Sequence, residues 1–220
     1  MNGEDILYHS SNDRMSNARV NMVRKLEQKG ISSGSVLQAM LKVPRHIFVS
    51  DALCYRAYDD TSLPIGFGQT ISTPSVVASM VQSLRLTGDE RVLEIGSGSG
   101  YQAAILAELS SHVIGMERIE ELADRSRGVI FSLKYSNVQI VNSDDFNSIE
   151  GNFDRIIVAA GVKIFPVELL EKLNPGGILV IPVDDKTNNH VIKRFVKKKD
   201  SDYFEEEIGR ANFVPYLVGN

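Results

Sequence analysis

The chain predicts a doubly wound α/β fold, a mostly parallel sheet with helices on both faces. Three observations carry this. From Arg91 onward, short apolar runs alternate with runs of helical period, and that alternation calls for parallel strands joined by crossover helices. The first such run, Val92 to Ile95, ends in glycines at 96, 98 and 100 and opens an Ala-rich helix. A strand, a glycine turn and a helix in that order bring backbone N–H groups close to a ligand. The composition, 43% hydrophobic and 24% charged over 220 residues, is that of a globular chain.

Strands read at 91–95, 113–116, 138–142, 155–160 and 178–183, with helices at 101–109, 120–133 and 166–173. Upstream, residues 1–13 are polar and aperiodic and read as a loose tail. Met15, Ala18, Met22, Val23 and Leu26 then recur at helical spacing, and Gly30 is a natural stop. A second helix has Ser35 and Gln38 as a capping box and must end before Pro44. These segments form an N-terminal helical cap outside the sheet. Between 52 and 71, Pro64, Gly66 and Gly68 break both periods, and 59–62 is turn chemistry. A loop so punctuated is more often functional than idle. A helix starts at Pro74, with Ser72 or Thr73 as its N-cap. Beyond Asp184 the polar stretches 188–199 and 203–210 read as antiparallel C-terminal strands, with Lys197, Lys198 and Lys199 on a solvated hairpin face. The chain reads as one domain over 1–220. Residues 14–86 form the cap and a loop, 87–183 the α/β core, and 184–220 the antiparallel strands.

Several function classes drop out. No apolar run approaches a membrane span, and the first five residues lack the basic and apolar parts of a signal peptide. The single cysteine, Cys54, allows no internal disulfide, which fits a reducing, cytoplasmic compartment, and it has no activating base nearby. A net charge of −4 gives no electrostatic case for nucleic acid. The four histidines show no metal-ligand spacing. The expectation is a cytoplasmic protein, a monomer, that takes no metal, nucleic acid or membrane.

The glycine turn must then say which ligand it holds. The dinucleotide fingerprint needs its third glycine one residue later, where Tyr101 stands, and no Lys-Ser or Lys-Thr pair follows to make a phosphate loop. Three acids replace those features. Glu94, two residues before Gly96, suits an ammonium group, met directly or through water. Glu117 ends the second strand, where a carboxylate faces a ribose and accepts from both hydroxyls. Asp144 follows the third strand and suits an exocyclic amine. Each acid alone is equally well read as a solvated strand end. Together, at three successive strand ends of a Rossmann-like sheet, they describe S-adenosyl-L-methionine.

More specific motifs lie outside the turn. They are Val43-Pro44-Arg45-His46 with Phe48-Val49, Ala57-Tyr58-Asp59-Asp60, and Leu63-Pro64-Ile65-Gly66 running into Gly68-Gln69-Thr70-Ile71-Ser72 and Pro74. Glu117-Arg118-Ile119, Pro175-Gly176-Gly177, Ile181-Pro182-Val183 and Phe213-Val214-Pro215 follow. In these the chain resembles the protein-L-isoaspartate O-methyltransferases, from about residue 19 to 218. The resemblance implies methyl transfer from S-adenosyl-L-methionine to the free carboxylate of L-isoaspartyl residues in damaged proteins or peptides, which starts repair through a succinimide. It also implies that the loop before the first sheet strand closes over cofactor and substrate. Ser72 matches the serine usually called catalytic, with Gln69, Thr70 and Ile71 beside it near the cofactor. The expected cofactor-binding set is completed by Glu94, Gly96, Ser97, Gly98, Gly100, Tyr101, Glu117, Ser143 and Asp144. From the residues alone, Ser72 is also read as a plain helix N-cap, and one residue can do both.

The chain departs from the family pattern at three strand ends. It has Ser143-Asp144-Asp145 for Gly-Asp-Gly, Val158-Ala159-Ala160-Gly161 for Val-Thr-Ala-Ala, and Asp184 for a glycine. The alternative enzyme reading is a methyltransferase of this fold acting on another carboxylate or hydroxyl. A non-catalytic binding module has no reason to keep Gln69 to Ser72, and an NAD-dependent enzyme fails on glycine spacing.

Overall fold

The computed structural model describes residues 3–185, 189–198 and 202–216, with backbone alone over 3–13. In chain order the elements are α1 (Gly3–Gln28), α2 (Gly34–Lys42), β1 (Leu63–Gly66), β2 (Gln69–Ile71), α3 (Pro74–Ser83) and β3 (Arg91–Ile95). Then follow α4 (Tyr101–Ala107), β4 (His112–Glu117), α5 (Glu120–Ser132), β5 (Val138–Asn142) and β6 (Phe153–Val158). The last are α6 (Glu168–Glu171), β7 (Leu173–Asp184), β8 (His190–Lys197) and β9 (Tyr203–Ala211). Short 3-10 turns occupy Arg45–Phe48, Asp51–Arg56 and Phe146–Ser148.

Strands β3 to β9 form one sheet in the order β5-β4-β3-β6-β7-β8-β9. The pairs from β5 to β7 are parallel, and β7, β8 and β9 pair antiparallel as a meander. This is the expected doubly wound architecture with antiparallel C-terminal strands. Because β3 has parallel neighbours on both sides, the strand order reverses at its carboxyl end, where the glycine turn begins.

Side-chain alternation along β3 divides the core. Val92 joins a cluster with residues of α1 to α5 on one face, while Leu93 and Ile95 face the other under Phe146, Ile149, Leu169 and Leu170. Glu94 shares the parity of Val92 and so points to the α4 side. Among the described residues the two faces are unequally covered: five helices lie over one, and α6 and a 3-10 turn over the other.

Several sequence expectations need correction. Residues 3–13 are helical and not a loose tail; no proline or glycine interrupts 4–29, so the helix anchored by Met22 and Leu26 extends outward on propensity. The α2 cap is Ser33, whose Oγ accepts from the Val36 N–H at 3.4 Å, and not Ser35. The segment 52–71, unassigned from sequence, holds a 3-10 turn and the β1–β2 hairpin, with Leu63 opposite Ile71. The helix expected at 166–173 is a single turn, because Leu173 is already paired with Phe153 as the start of β7. Strand β6 lies two residues earlier than expected, which frees Ala159 and Ala160 from the ladder. Lys197 is not on a solvated face: its Nζ donates to the carbonyls of Leu170 (3.1 Å) and Leu173 (2.7 Å), capping the end of α6. Lys198 pairs with Asp202 at 2.7 Å, and the expectation for Lys199 lies outside the described residues, as does that of a strand at 188. Among the described residues, no helix is long and apolar enough to cross a membrane.

Candidate active site

The chain leaves β3 through Gly96, Gly98 and Gly100, all at left-handed φ (84°, 52° and 84°), and enters α4 at Tyr101. L side chains avoid that region, so the turn needs its glycines. The N–H groups of Gly96 and Ser97 donate to the Met116 carbonyl at 2.8 and 3.0 Å, tying the turn to the end of β4. A close approach makes this possible: a Cβ on Gly115 would lie 2.4 Å from Ser97 Oγ and 2.6 Å from Ile140 Cδ1. Gly115 escaped the sequence analysis, although a glycine inside a strand is a signal of such an approach.

Two of the three expected acids are deeply placed. Glu94 is fully buried; Gln102 Nε2 donates to its Oε1 at 3.0 Å, while its Oε2 has no partner among the described residues. Burial pushes the carboxyl up to about 7, against the pull of the Ser97 and Gln102 side chains, and the neighbouring Glu117 adds repulsion. The Glu117 carboxylate accepts from the Gly98 N–H and the Ile119 N–H, each at 2.9 Å. One N–H on each oxygen fixes its plane and leaves further acceptor positions.

The hairpin β1–β2 lies across this turn. Its apolar contact is Ile65, whose Cδ1 would be 3.2 Å from a Cβ on Gly98. Arg45 holds the hairpin's approach in place. It is fully buried, its Nε donates to the Ala57 carbonyl at 2.7 Å, and its guanidinium lies 4.9 Å from the centre of the Tyr101 ring. At the far end of the hairpin, Thr73 takes the N-cap position of α3 without a side-chain bond. Asp60 caps the helix instead, accepting from the Ser75 N–H at 2.9 Å. Ser72 is therefore not the cap, and its half-buried hydroxyl makes no hydrogen bond among the described residues.

Three clefts meet at this place. The first is lined by Gln69, Thr70, Gly96, Gly98, Glu117, Arg118, Ser143 and Asp144, with Ala159, Ala160 and residues 214–216 opposite. The second, beside it, is lined by Thr70, Ile71, Ser72, Glu94, Gly96, Ser97, Gly98, Tyr101 and Gln102. The third has Ser62, Thr70, Ser72, Thr73, Val76, Ala159, Phe213 and Val214 on its walls. Thr70 and Ala159 belong to all three, and Ser72 to the second and third.

So the structure gathers all but one of the expected residues. Gly100 lines none of these clefts; a Cβ there would meet Ser126 Cβ at 3.1 Å, and its work is to let α4 and α5 pack closely. Sequence reasoning missed Arg118, Gln102, Ala160 and Tyr216 as cleft residues. It quoted Val214 and Pro215 in a motif without placing them at the site. A short bridge brings them there, with the Gly161 N–H donating to the Val214 carbonyl at 2.8 Å.

A doubly wound sheet with acids at its strand ends, a glycine turn and no phosphate loop is the arrangement expected of an S-adenosylmethionine-dependent methyltransferase. Comparison with known proteins narrows the class. The family model for protein-L-isoaspartate(D-aspartate) O-methyltransferase matches residues 17–220. A protein-L-isoaspartate O-methyltransferase of Dictyoglomus turgidum is 45% identical over 199 residues, 90% of each chain. Protein-L-isoaspartate O-methyltransferase 2 of Geotalea uraniireducens is 47% identical over 205 residues, 92% of this chain and 94% of that one. Among solved structures, a Plasmodium falciparum protein described as an L-isoaspartate O-methyltransferase, in complex with S-adenosyl-L-homocysteine, superposes with a TM-score of 0.80 at 26% identity, covering 91% of this chain and 99% of its own. The chain belongs to the protein-L-isoaspartate(D-aspartate) O-methyltransferase family.

Proposed function

We propose that this chain transfers a methyl group from S-adenosyl-L-methionine to the free carboxylate of L-isoaspartyl residues in proteins or peptides. The observation that carries the reading, within this family, is the meeting of three clefts at Thr70 and Ala159, with Ser72 shared by two of them. The residues suit the cofactor. The unpartnered, fully buried Oε2 of Glu94 suits an ammonium, and Glu117, held by two amides, retains acceptor positions for a ribose. Ser143 and Asp144 line the first cleft, which suits them to receive the base. When bound, the cofactor supplies an electrophilic methyl carbon on a sulfonium.

The third cleft takes the acceptor. An isoaspartyl carboxylate is ionised at neutral pH, so no general base is needed. The chain's part is to orient that carboxylate and to exclude water. Ser72, shared by the second and third clefts, donates its hydroxyl to the acceptor carboxylate. Thr70 and the Ala159 methyl close the space between the clefts. Asp184, whose charge would oppose a carboxylate, lines none of the three; its N–H is bonded to the Val162 carbonyl at 2.9 Å. The backbone amide nitrogen that follows then attacks the methyl ester, expelling methanol and closing a succinimide, whose hydrolysis returns part of it as normal aspartate. The same reading takes the chain as a single-domain, cytoplasmic monomer without nucleic-acid or membrane partners, supported by its −4 charge and single cysteine.

The test is methylation with labelled cofactor of an isoaspartyl peptide and its normal aspartyl twin. Base-labile label on the isoaspartyl peptide alone is expected. Equal labelling of both, or of neither while another carboxylate or hydroxyl compound accepts methyl, would replace this reading with a methyltransferase of different acceptor.

A further inference from the structure

Gly161 is buried, and a Cβ there would lie 1.9 Å from Nε2 of His190, 2.4 Å from its Cδ2 and 2.5 Å from its Cε1. No side chain fits at 161 while the imidazole stands where it does. The same ring meets Phe213 edge-on, with centroids 5.9 Å apart and planes at 90°. Its Nδ1 accepts from the Phe213 N–H at 3.4 Å, the long end of hydrogen bonding. His190 opens β8, and neither the sequence motifs nor the mechanism uses it.

We propose that His190 is a positioning residue for the methyl acceptor. Its imidazole, admitted by the missing side chain at Gly161, sets Phe213 against the third cleft. The inference rests on reading that cleft as the acceptor's. The effect is local, because the wall is held in two ways. Val214 and Tyr216 are bonded to the backbone of Gly161, by the Gly161 N–H to the Val214 carbonyl and the Tyr216 N–H to the Gly161 carbonyl, each at 2.8 Å. Those bonds need no histidine; Tyr216 lines the cofactor cleft, and Val214 lines both the cofactor and the acceptor cleft. Phe213, which lines only the acceptor cleft of the three, is the residue that His190 reaches. The departure at Gly161 and the histidine at 190 are thus one feature.

A double-mutant cycle tests this, read by the KM for an isoaspartyl peptide, kcat, and the Kd for S-adenosyl-L-homocysteine. His190→Ala removes ring and acceptor, and KM for the peptide rises about fivefold, the worth of one hydrogen bond. Gly161→Ala evicts the ring and produces the same rise. The double variant is no worse than either single one, because both remove the same contact. His190→Asn keeps an acceptor near the Nδ1 position and restores most of the KM. The Kd for S-adenosyl-L-homocysteine stays within about twofold in both His190 variants, which a general loosening of the fold would not allow. Multiplying effects in the double variant, an unchanged KM in His190→Ala, no rescue by His190→Asn, or a Kd that moves with KM would overturn the proposal. Failure of the unsubstituted chain to methylate the peptide would instead overturn the function on which it rests.

Discussion

At the scale of single residues, Glu94 is the most informative. Its carboxyl is raised to about 7 by burial, whereas in an unfolded chain it titrates near the ordinary value of 4.5. Between those values the folded state holds more protons than the unfolded one, so this group's contribution to stability falls as pH rises from about 4.5 to about 7. Above 7 the cost is fully present, on the order of 3 kcal/mol in the cofactor-free protein. Glu94→Gln removes that dependence. The variant should melt higher than the unsubstituted chain at pH 8 and about equally at pH 4.5, while S-adenosyl-L-homocysteine affinity drops at least tenfold. Melting curves across this range, with calorimetric titration of the ligand, check both; a variant less stable at pH 8 would contradict the assignment. Ser72 gives the complementary case. Because Asp60 caps α3, Ser72→Ala leaves the helix intact, and turnover should fall about tenfold or more for loss of a hydrogen bond to a charged acceptor. Cofactor affinity should stay nearly unchanged, and an equal loss of both would remove the orienting role.

Among elements, the β1–β2 hairpin, which carries Thr70 on the walls of all three clefts, was the part least legible from sequence. A four-residue and a three-residue strand, the first containing Pro64 and the two separated by Phe67 and Gly68, offer no period to read. Their position is set by distant contacts, Ile65 on Gly98 and Arg45 on the Ala57 carbonyl. Strand β3, by contrast, was legible to the residue, since four of its five residues are buried and the glycines mark its end. The C-terminal wall was illegible for another reason: Val214 and Pro215 reach the site through an isolated bridge to Gly161 and carry no periodicity. Arg45 is the place to test the hairpin's anchorage. Arg45→Met strips a donor from the Ala57 carbonyl and from that of Thr61, which sits 3.5 Å from Nη2. The cost is about 2–3 kcal/mol, or a melting temperature lower by roughly 5–10 °C. Limited proteolysis should then cut first between 57 and 62. A melting temperature within a degree of the original would show that the guanidinium is dispensable.

For the molecule as a whole, alternation of pattern was enough to predict the parallel core, and polar alternation enough to predict antiparallel strands after it. The order of those last strands was not readable, because hairpin neighbours carry the same pattern whichever edge they join. The strand order has a kinetic side as well. Strands β7, β8 and β9 pair with their neighbours in the chain, but joining β3 to β6 brings together Arg91 and Asp154, 63 residues apart. Closing so long a loop costs entropy before any contact repays it. The first two clefts open at the end of that seam, where Gly96 and Ala159 line both. A ligand that bridges the ends of β3 and β6 adds its binding energy to the joined sheet, and so favours that pairing over any state in which the two strands have come apart.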